Sequence, residues 1–516
     1  MSAPCCPDRA GRRGRPYTAH WFIWHDGQGG VDLALTAELG GLPRSDVELA
    51  HSLALMTAEA GSPMLCGAQS GAWLLWDGAV YAPQDAEFAN RMTLWAARAH
   101  WRAAADVAAA QEAVIAAGAA AGQARARAEA KARWGKALGL RDRLWSDAGQ
   151  GALARQLARE CGVDESRLDA GTGEIVVDNG RISLAQILAD GAVRLLPHDR
   201  RRLDTRRCGS GVRYDPAARA PWFRRFLETS VADAAQRDWL LWRAASALFG
   251  RMPRKGFVNT IGERDSGKST FTDVIAELAG GYARTVPAET FLAKHQGDAG
   301  FRQAELRGAR FVHTHEPSPG SRYDEGLMKT LTGRDRQRTA GKYEKPVEWT
   351  PQLTVFIGSN APIRFASSDD AFMTRQEVVA FARGYERPDD GLAERVRGEF
   401  SGVLNELLAM IRREAWHGMP LLPQSSIDAR EKLAEQTEGA LEFVAEWIDE
   451  GRLIPKPDAS AYSSVTVQRL YAWYVTWCAE AGERPVGRKT FSAIVGRRYP
   501  RVLSDGRYHF RGLICR

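Results

Sequence analysis

The sequence predicts an α/β protein in which a largely parallel sheet forms the centre of the chain. Apolar strands and helical segments alternate between residues 256 and about 385, which is the pattern of such a sheet. Residues 90 to about 147 contain no proline and are rich in Ala, Arg, Gln and Glu, so they predict a long helix in an α-rich N-terminal part. Beyond about residue 425 the pattern is helical again, and the last 30 or so residues predict a helix and a hairpin.

Composition and charge limit the class of protein. With 516 residues, 44% of them apolar and 26% charged, the chain has the length of two to four soluble domains. No apolar run reaches about 18 residues, and the basic N-terminus lacks the apolar region of a secretory signal, so we expect a cytoplasmic protein without a membrane segment. The seven cysteines show no metal-binding spacing. A net charge of +7 favours a polyanionic partner only weakly.

We expect five segments along the chain. They are a flexible basic tail (1–43), an N-terminal domain with the long helix (44–210), a helical linker (211–250), an α/β domain (251–425) and a C-terminal domain (426–516). Within them, "WLLWDGAVY" (Trp73 to Tyr81) predicts two short strands joined at an Asp-Gly turn. Gly250 predicts the end of a helix over 238–250.

The segment "FVNTIGERDSGKSTFTDVIAELAG" carries the strongest functional signal. The apolar strand 257–261 leads into Gly262-x-x-x-x-Gly267-Lys268-Ser269, and a helix with apolar spacing follows, which is the context of a P-loop. In a P-loop, backbone N–H groups and the helix N-terminus hold phosphate, the lysine reaches the β/γ oxygens and the hydroxyl binds Mg²⁺. The pattern therefore predicts an NTPase that uses ATP and Mg²⁺. The nucleotide-binding residues are Gly262, Glu263, Arg264, Asp265, Ser266, Gly267, Lys268, Ser269 and Thr270.

A second apolar run, "FVHTHEP", begins at residue 311 and reaches its acid about 45 residues downstream of the loop. A P-loop enzyme needs a strand that ends in an acid, which holds a Mg²⁺-bound water or activates the attacking one, and Glu316 is the candidate. Two alternatives are a transition-metal site of His313, His315 and Glu316, and an ordinary structural strand. The metal site fits less well because Pro319 stands where His-Glu-x-x-His would need its second histidine, and the prolines break a helix.

Three later segments supply further candidates. "GRDRQRTAGKYEK" predicts a basic hairpin with its tip at 339–341, where Arg336, Arg338 and Lys342 would grip a phosphate backbone, although a solvated basic turn has the same composition. The strand "LTVFIGS" ends at Asn360, which can reach a γ-phosphate or its water. Arg375 precedes another apolar strand and is suited to stabilising transferred phosphoryl charge in trans.

The C-terminal segment predicts two helices and a hairpin that turns at Asp505-Gly506, the shape of a winged helix-turn-helix. The second helix begins near Gly487 and is basic, so Arg488 and Lys489 are predicted to bind DNA, with a purely structural cap as the alternative. Four aromatic residues at helical spacing in the first helix are predicted to be core: Tyr471, Trp473, Tyr474 and Trp477.

Taken in order, these motifs resemble those of superfamily 3 helicases. More closely, they resemble the helicase half of the phage and plasmid primase–helicase family, which includes poxvirus-type replication ATPases. Lys329 and Asp335 match the motif between the acid strand and the Asn360 strand. "WLLWDGAVY" is similar to the strand pair of that family's helicase-associated domain, and "GVRYDPAARAPWFRRFL" is similar to its approach to the ATPase. The resemblance covers roughly residues 44–516 and implies an AAA+-like P-loop core.

The resemblance implies roles for the candidate residues. Lys268 would bind phosphate, Ser269 would bind Mg²⁺, Glu316 would be the water-activating acid and Asn360 the sensor. Arg375 would be a finger supplied by a neighbouring subunit. The resemblance also implies a hexameric ring that threads one DNA strand and moves 3′ to 5′ on forked DNA. Because fewer than about 44 residues precede the match, we expect primase and other replication proteins to be separate chains.

The chain departs from the family at three positions. His315 stands before Glu316, where the family carries a small or acidic residue, and Thr374 replaces the usual arginine before Arg375. Ala340 replaces an arginine that is common in the hairpin, where Lys342 is a neighbouring cation.

Three classes of function remain open from the sequence. The first is an ATP-dependent DNA helicase for replication of a phage, prophage or plasmid in a bacterial host cell. The second is an origin-binding or loader-type ATPase that does not unwind processively. The third is a metal hydrolase centred on His313, His315 and Glu316, which predicts bound zinc and an activity that survives Lys268→Ala.

Overall fold

The computed structural model describes most of the chain in several stretches. They are residues 43, 45–100, 135, 139–140, 142–292, 303–314, 323–339, 347–360, 370–381, 389, 391–437, 439–458, 460, 463–480 and 485–515. The chain divides into two compact units, one of Met1–Gly171 with His198–Arg206 and one of Thr172–Pro197 with Arg207–Arg516. The five predicted segment boundaries stay predictions.

The first unit combines a small sheet with helices. Its elements are α1 (Asp46–Glu59), β1 (Met64–Gly67), β2 (Trp73–Trp76), β3 (Tyr81–Pro83), α2 (Asp147–Glu160) and β4 (Gly162–Val163), with a 3₁₀ turn at Glu165–Arg167 and a helix over 88–100. The sheet order is β3-β2-β1-β4. Leu49, Leu53, Leu153 and Leu157 bury the facing sides of α1 and α2. Residues 101–134, the middle of the predicted long helix, lie outside the described residues.

The predicted Asp-Gly turn between β2 and β3 is confirmed. The strands pair antiparallel, with Trp76 opposite Tyr81. A carboxylate oxygen of Asp77 accepts hydrogen bonds from the N–H groups of Ala79 and Val80, both at 2.9 Å. Gly78 has a φ of +103°, which an L residue rarely adopts.

The second unit holds the larger sheet and most helices. It begins with β5 (Glu174–Val177), β6 (Gly180–Ser183), α3 (Leu184–Asp190), β7 (Leu195–Leu196), α4 (Pro221–Ser230) and α5 (Ala234–Leu248). It continues with β8 (Phe257–Ile261), α6 (Lys268–Ala279), β9 (Ala283–Val286), β10 (Phe311–Thr314), α7 (Glu325–Gly333), β11 (Gln337–Thr339) and β12 (Val347–Trp349). Then follow β13 (Thr354–Ser359), α8 (Asp370–Met373), β14 (Gln376–Ala380), α9 (Leu392–Arg397), α10 (Phe400–His417) and α11 (Gln424–Thr437).

The C-terminal end of the second unit has its own small core. Its elements are α12 (Gly439–Asp449), β15 (Leu453–Pro455), α13 (Val467–Glu480), α14 (Arg488–Arg498), β16 (Arg501–Ser504), β17 (Arg507–Phe510) and β18 (Leu513–Cys515). The aromatic residues of α13 pack in this core as predicted, with Tyr474 buried and Tyr471, Trp473 and Trp477 partly buried. Short 3₁₀ turns elsewhere in the chain are Arg200–Arg202, Gly280–Tyr282 and Ala288–Phe291.

The predicted parallel sheet is confirmed. Five strands lie in the order β14-β8-β13-β10-β9, and every neighbouring pair is parallel. Alternate side chains enter two different cores, so that Val258 and Phe356 pack with α5, α6 and α10 while Phe257 and Val355 pack on the other face with α7. The sheet therefore lies between two helical layers.

A buried ion pair joins the sheet to α5. A carboxylate oxygen of Glu377 on β14 lies 2.6 Å from Nε of Arg243, and the two side chains are 0% and 1% exposed. The indole N–H of Trp239 donates to the same carboxylate at 3.3 Å. The fold tolerates these buried groups only because they pair, since either charge buried without its partner would strongly destabilise the folded state.

The ends of two predicted elements shift in the structure. The helix predicted over 238–250 is α5, which begins at Ala234 and ends at Leu248, with Gly250 just beyond it at φ +67°. The tip predicted at 339–341 is wrong at Thr339, which lies in β11 and pairs with Val347. The pairing of β11 with β12 therefore includes Thr339. The indole N–H of Trp349 donates to the Thr339 hydroxyl at 2.9 Å and links the two strands there. No helix among the described residues is long and apolar enough to cross a membrane.

Candidate functional site

The loop between β8 and α6 adopts a tight conformation that its sequence permits. Gly267 has a φ of +94° and Asp265 a φ of +57°, so the chain reverses immediately before α6. A Cβ on Gly267 would lie 2.7 Å from the Ser230 hydroxyl and 2.8 Å from the Phe226 ring. Glycine is therefore required at position 267 for two reasons. Its φ lies in the left-handed region, and α4 packs too closely against the loop to leave room for a Cβ atom.

Lys268 begins α6 and turns back onto the loop. Its ammonium group donates to the carbonyl oxygens of Gly262 at 2.8 Å and Glu263 at 2.7 Å, and to the Ser266 hydroxyl at 3.1 Å. The side chain is buried, although its charged end is surrounded by oxygen acceptors. The cation therefore lies inside the curve of the loop, where an anion bound to the loop would meet it.

A cavity of about 280 Å³ opens at the carboxyl ends of the strands. Its lining residues are Arg264, Asp265, Ser266, Gly267, Lys268, Ser269, Thr270, Thr272, Thr314, Gly358 and Asn360. The helix α6 after β8 and the helix α7 before β13 pack on opposite faces of the sheet, so the chain changes direction between these adjacent strands. Ligands of open α/β sheets bind at such a switch point. Of the predicted catalytic residues, Lys268 and Asn360 are brought together here.

The first turn of α6 adds a favourable field for an anion. The N–H groups at the start of a helix have no intrahelical partners, and the helix dipole places partial positive charge there. Ser269 and Thr270 lie in this turn and line the cavity. The donor set of a lysine, helix N–H groups and hydroxyls fits phosphate and its Mg²⁺.

A second cavity, of about 370 Å³, adjoins the same loop. Its lining residues are Trp222, Arg225, Phe226, Thr229, Asp265, Gly267, Thr270, Asp389, Leu392 and Ala393. It shares Asp265, Gly267 and Thr270 with the first cavity, so the loop lies between the two cavities. One space is lined by polar groups, and the other includes a tryptophan ring that is 42% exposed.

Contacts from Arg395 of α9 and from Glu399, which directly precedes α10, hold Trp222 at this second cavity. The carboxylate of Glu399 accepts from the N–H groups of Trp222 at 3.0 Å and Phe223 at 3.1 Å, so it caps the N-terminus of α4. The guanidinium of Arg395 lies 4.5 Å from the centre of the Trp222 ring. An ion pair also joins α9 to α6, since Arg397 Nε lies 2.6 Å from a Glu277 oxygen and this hydrogen bond lowers the pKa of Glu277.

His313 is engaged in packing between β9 and α6. Its Nε2 lies 2.7 Å from the Thr285 hydroxyl, its Nδ1 is 3.8 Å from an Asp273 oxygen, and the side chain is 2% exposed. His315 and Glu316 lie outside the described residues. Within the described stretches no group of three or more metal-ligating side chains is found. Thr314 brings the end of β10 to the first cavity.

Arg375 lies at the amino ends of the strands, whereas the loop lies at their carboxyl ends. It immediately precedes β14, whose carboxyl end runs toward the cavity edge. Its guanidinium donates to the carbonyl oxygen of Lys329 at 2.6 Å and to the Thr332 hydroxyl at 2.9 Å. The side chain therefore stabilises the last turns of α7 and does not line the cavity of its own chain.

The predicted DNA-binding residues fall in two places. Arg336 and Arg338 are exposed at the base of the hairpin β11–β12, and Glu348 lies 3.2 Å from Arg336. Lys342 lies outside the described residues. Arg488 and Lys489 are exposed at the start of α14.

Sequence reasoning missed the second cavity. The backbone N–H of Trp222 donates to Glu399, which is 177 positions away, so this contact could not be predicted from local sequence. The signal that was available is a tryptophan directly after the proline that begins a helix. Gly358 and Thr314 were also missed as lining residues because they belong to apolar strands.

Comparisons with known proteins give distant similarities. Residues 260–375 match a family described as a family of unknown function (DUF5906). The chain is 22% identical over 231 residues to the putative helicase L207/L206 of Acanthamoeba polyphaga mimivirus, which covers 40% of this chain and 24% of that protein. The match therefore spans about a quarter of the viral protein.

Solved structures of the NrS-1 C-terminal region are also similar. An apo A form is 11% identical, covers 89% of this chain and 98% of that chain, and has a TM-score of 0.46. An apo structure of residues 305–718 is 12% identical, covers 60% and 80% of the two chains, and has a TM-score of 0.36. At the sequence level, this chain is similar to one putative helicase and to a family of unknown function.

Proposed function

We propose that the protein is an ATP-dependent DNA helicase of the superfamily 3 type that serves replication of a phage, prophage or plasmid. The observation that carries the proposal is the cavity at the ends of β8 and β13, where the loop, Lys268 and Ser269 face Thr314 and Asn360. A P-loop, a lysine and a polar residue at the end of a neighbouring strand are the parts that ATP hydrolysis requires. The similarity to a viral putative helicase supports the same conclusion.

In this proposal the triphosphate lies in the first cavity and the base in the second. The loop N–H groups and Lys268 hold the phosphates, and Lys268 exchanges the carbonyl oxygens of Gly262 and Glu263 for phosphate oxygens. Ser269 would hold Mg²⁺, which would supply positive charge beside the phosphates when bound. The exposed Trp222 ring offers the base a stacking surface.

Hydrolysis then needs an acid, a sensor and a counter-charge. Glu316 follows β10, whose last residue Thr314 lines the first cavity, so a carboxylate just beyond it is suited to activate the attacking water. Asn360 lines the same cavity and senses the γ-phosphate. Arg375 lies at the amino ends of the strands, away from the cavity of its own chain, which suits a finger that acts on the cavity of a neighbouring subunit in a hexamer.

DNA contacts would come from the hairpin and the C-terminal end. Arg336 and Arg338 lie at the base of the hairpin and, with Lys342, would contact single-stranded DNA. Each ATP hydrolysed would move the hairpin and so advance the protein 3′ to 5′ along the strand. Arg488 and Lys489 of the winged-helix-like end would bind duplex beside the fork. Separate primase and replication proteins would complete the machinery.

The alternative is an origin-binding or loader-type ATPase. It is favoured by one observation, the concentration of exposed cations on α14 and the hairpin after it, which suits binding of duplex without movement. A strand-displacement assay separates the two functions. The helicase displaces the strand of a 3′-tailed duplex with ATP, and Lys268→Ala does not. DNA-stimulated hydrolysis without displacement would reject the helicase and retain the alternative.

A further inference from the structure

The hairpin β16–β17 has an apolar face that continues past the core into solvent. Its two turn residues, Asp505 and Gly506, have φ values of +54° and +71°, so the strands are joined by a two-residue turn with both residues left-handed. In the register Arg501 lies opposite Phe510 and Leu503 lies opposite Tyr508. These four residues share one face because alternate positions of a strand point the same way.

The inner and outer halves of that face differ. Phe510 is fully buried and its ring lies 6.3 Å from the ring of Phe491 on α14. Arg501 donates to the Ser492 hydroxyl of α14 at 3.3 Å. Toward the turn, Leu503 is 60% exposed and Tyr508 is 57% exposed. A leucine and a tyrosine paired across the strands therefore form an uncovered apolar platform at the tip.

The surroundings of the platform are strongly basic. Residues 485–515 contain seven Lys and Arg residues and one acid, Asp505. The cations that are exposed in the structure are Arg488, Lys489, Arg497, Arg498, Arg501, Arg507 and Arg511. Such a charge excess selects a polyanion as the partner.

We propose that this hairpin binds unpaired bases at a junction of single-stranded and double-stranded DNA. The Tyr508 ring stacks on a base face and Leu503 packs beside it, while Arg507, on the other face of the hairpin, and Arg511 contact phosphates of the adjoining duplex. An intact duplex exposes base edges in its grooves but no base faces, whereas unpaired bases present faces that stack on aromatic rings. The platform has an apolar surface suited to a base face, and its basic surroundings distinguish this partner from an apolar protein surface.

The inference rests on the proposed function and names the DNA form that the C-terminal end recognises. It differs from groove binding by α14, which uses Arg488 and Lys489 on intact duplex. A platform at the junction would bind the bases that have just become unpaired, next to the remaining duplex.

Binding of the full chain to a forked DNA and to a relaxed closed-circular duplex tests the proposal. Both affinities are measured without ATP, by fluorescence anisotropy and by competition. Tyr508→Ala is expected to weaken fork binding roughly 5- to 100-fold, the range for losing one base stack. Binding of closed duplex should change less than about twofold, and Tyr508→Phe should restore fork binding because the ring is retained. Leu503→Ala should give a smaller loss in the same direction.

The control is Leu421→Ala, which removes another apolar side chain that is 89% exposed and lies far along the chain. It should bind both DNAs as the unmodified chain does. Arg507→Ala should weaken fork and closed duplex alike and reduce the salt dependence by about one counterion, because it contacts phosphate only.

Two results overturn the inference. One is equal loss on fork and closed duplex with Tyr508→Ala. The other is unchanged fork binding by Tyr508→Ala together with a smaller assembly in light scattering, which would make the platform a protein interface. If the unmodified chain hydrolyses ATP and Lys268→Ala does not, these results leave the ATPase intact, whereas absence of both ATP turnover and DNA binding defeats the proposed function as well.

Discussion

The ammonium group of Lys268 donates to the carbonyl oxygen of Gly262 at 2.8 Å, so the cation closes the loop that presents it. The charge is satisfied by the loop's own oxygens. In the proposed function, a bound phosphate would replace these neutral carbonyl acceptors with charged oxygens.

Lys268→Ala should abolish ATP turnover. Removing the cation takes away a group that stabilises phosphate charge, and a loss of about 100-fold or more in kcat is expected from the removal of one such donor. The rate of release of inorganic phosphate measures the turnover. Lys456→Ala, which removes an exposed lysine at the C-terminal end, should turn over ATP normally. Turnover by Lys268→Ala near that of the unmodified chain would contradict the assignment.

Glu316→Gln should bind ATP but not hydrolyse it. The amide keeps the size of the side chain and loses the base, for which a decrease of about 10²- to 10⁴-fold is typical. Nucleotide affinity should change less than about threefold. Glu305→Gln, an exposed acid before the same strand, is the matched control. Full hydrolysis by Glu316→Gln would remove the acid from the mechanism.

Arg375→Ala should lose ATP turnover only at the interfaces between assembled subunits. The guanidinium also binds the carbonyl of Lys329 at 2.6 Å, so some loss of stability of α7 is expected together with loss of turnover. Mixing Arg375→Ala with Lys268→Ala subunits forms some interfaces in which both functional groups are present. Turnover of the mixture should exceed the sum of the separate proteins, and no gain on mixing would leave only the structural role.

Trp222→Ala should weaken nucleotide binding and leave the maximal rate nearly unchanged. The ring lies beside the loop but away from the phosphate cavity, so its loss removes a stacking surface worth about 1–3 kcal/mol for a base. The dissociation constant of ATP should rise roughly 5- to 100-fold, and Trp222→Phe should fall between. Trp145→Ala removes a tryptophan of similar exposure, 48%, and should bind ATP as before. An unchanged dissociation constant in Trp222→Ala would place the base elsewhere.

Glu377→Ala should strongly destabilise the α/β core. It leaves Arg243 buried without its carboxylate at 2.6 Å, for which about 3–5 kcal/mol is typical. Glu277→Gln breaks an ion pair with Arg397 whose partners are 42% and 44% exposed, so its effect should stay below about 1 kcal/mol. The midpoints of thermal unfolding compare the stability of the two variants. Equal midpoints for the two variants would show that the buried pair contributes little.

The Glu277 pair also has a defined pH dependence. Arg397 lowers the pKa of Glu277 below its ordinary value of 4.5. Its small contribution is therefore complete above pH 4.5 and is lost as the pH falls through the lowered pKa. The difference in stability between the unmodified chain and Glu277→Gln should accordingly shrink only on the acid side.

Local patterns were sufficient for the elements that carry the loop. The strand 257–261, the glycines and the helix from Lys268 lie within about 25 residues, and their periodicity and turn chemistry act at short range. The hairpin turn at Asp505-Gly506 was equally readable because both residues suit left-handed dihedral angles. The tip of the hairpin β11–β12 was misplaced at Thr339 because polar residues there also fit a strand with one exposed face.

The sequence by itself determined that a loop with the pattern Gly-x-x-x-x-Gly-Lys-Ser lies between a strand and a helix, and which residues it contains. Only the tertiary structure decided that β13 lies beside β8, that Asn360 therefore shares a cavity with Lys268, and that Trp222 adjoins it. It also decided that Arg375 contacts α7 and lies away from its own cavity. The physical reason is that strand order and helix packing depend on burial summed over distant segments, and local patterns do not specify which segments meet.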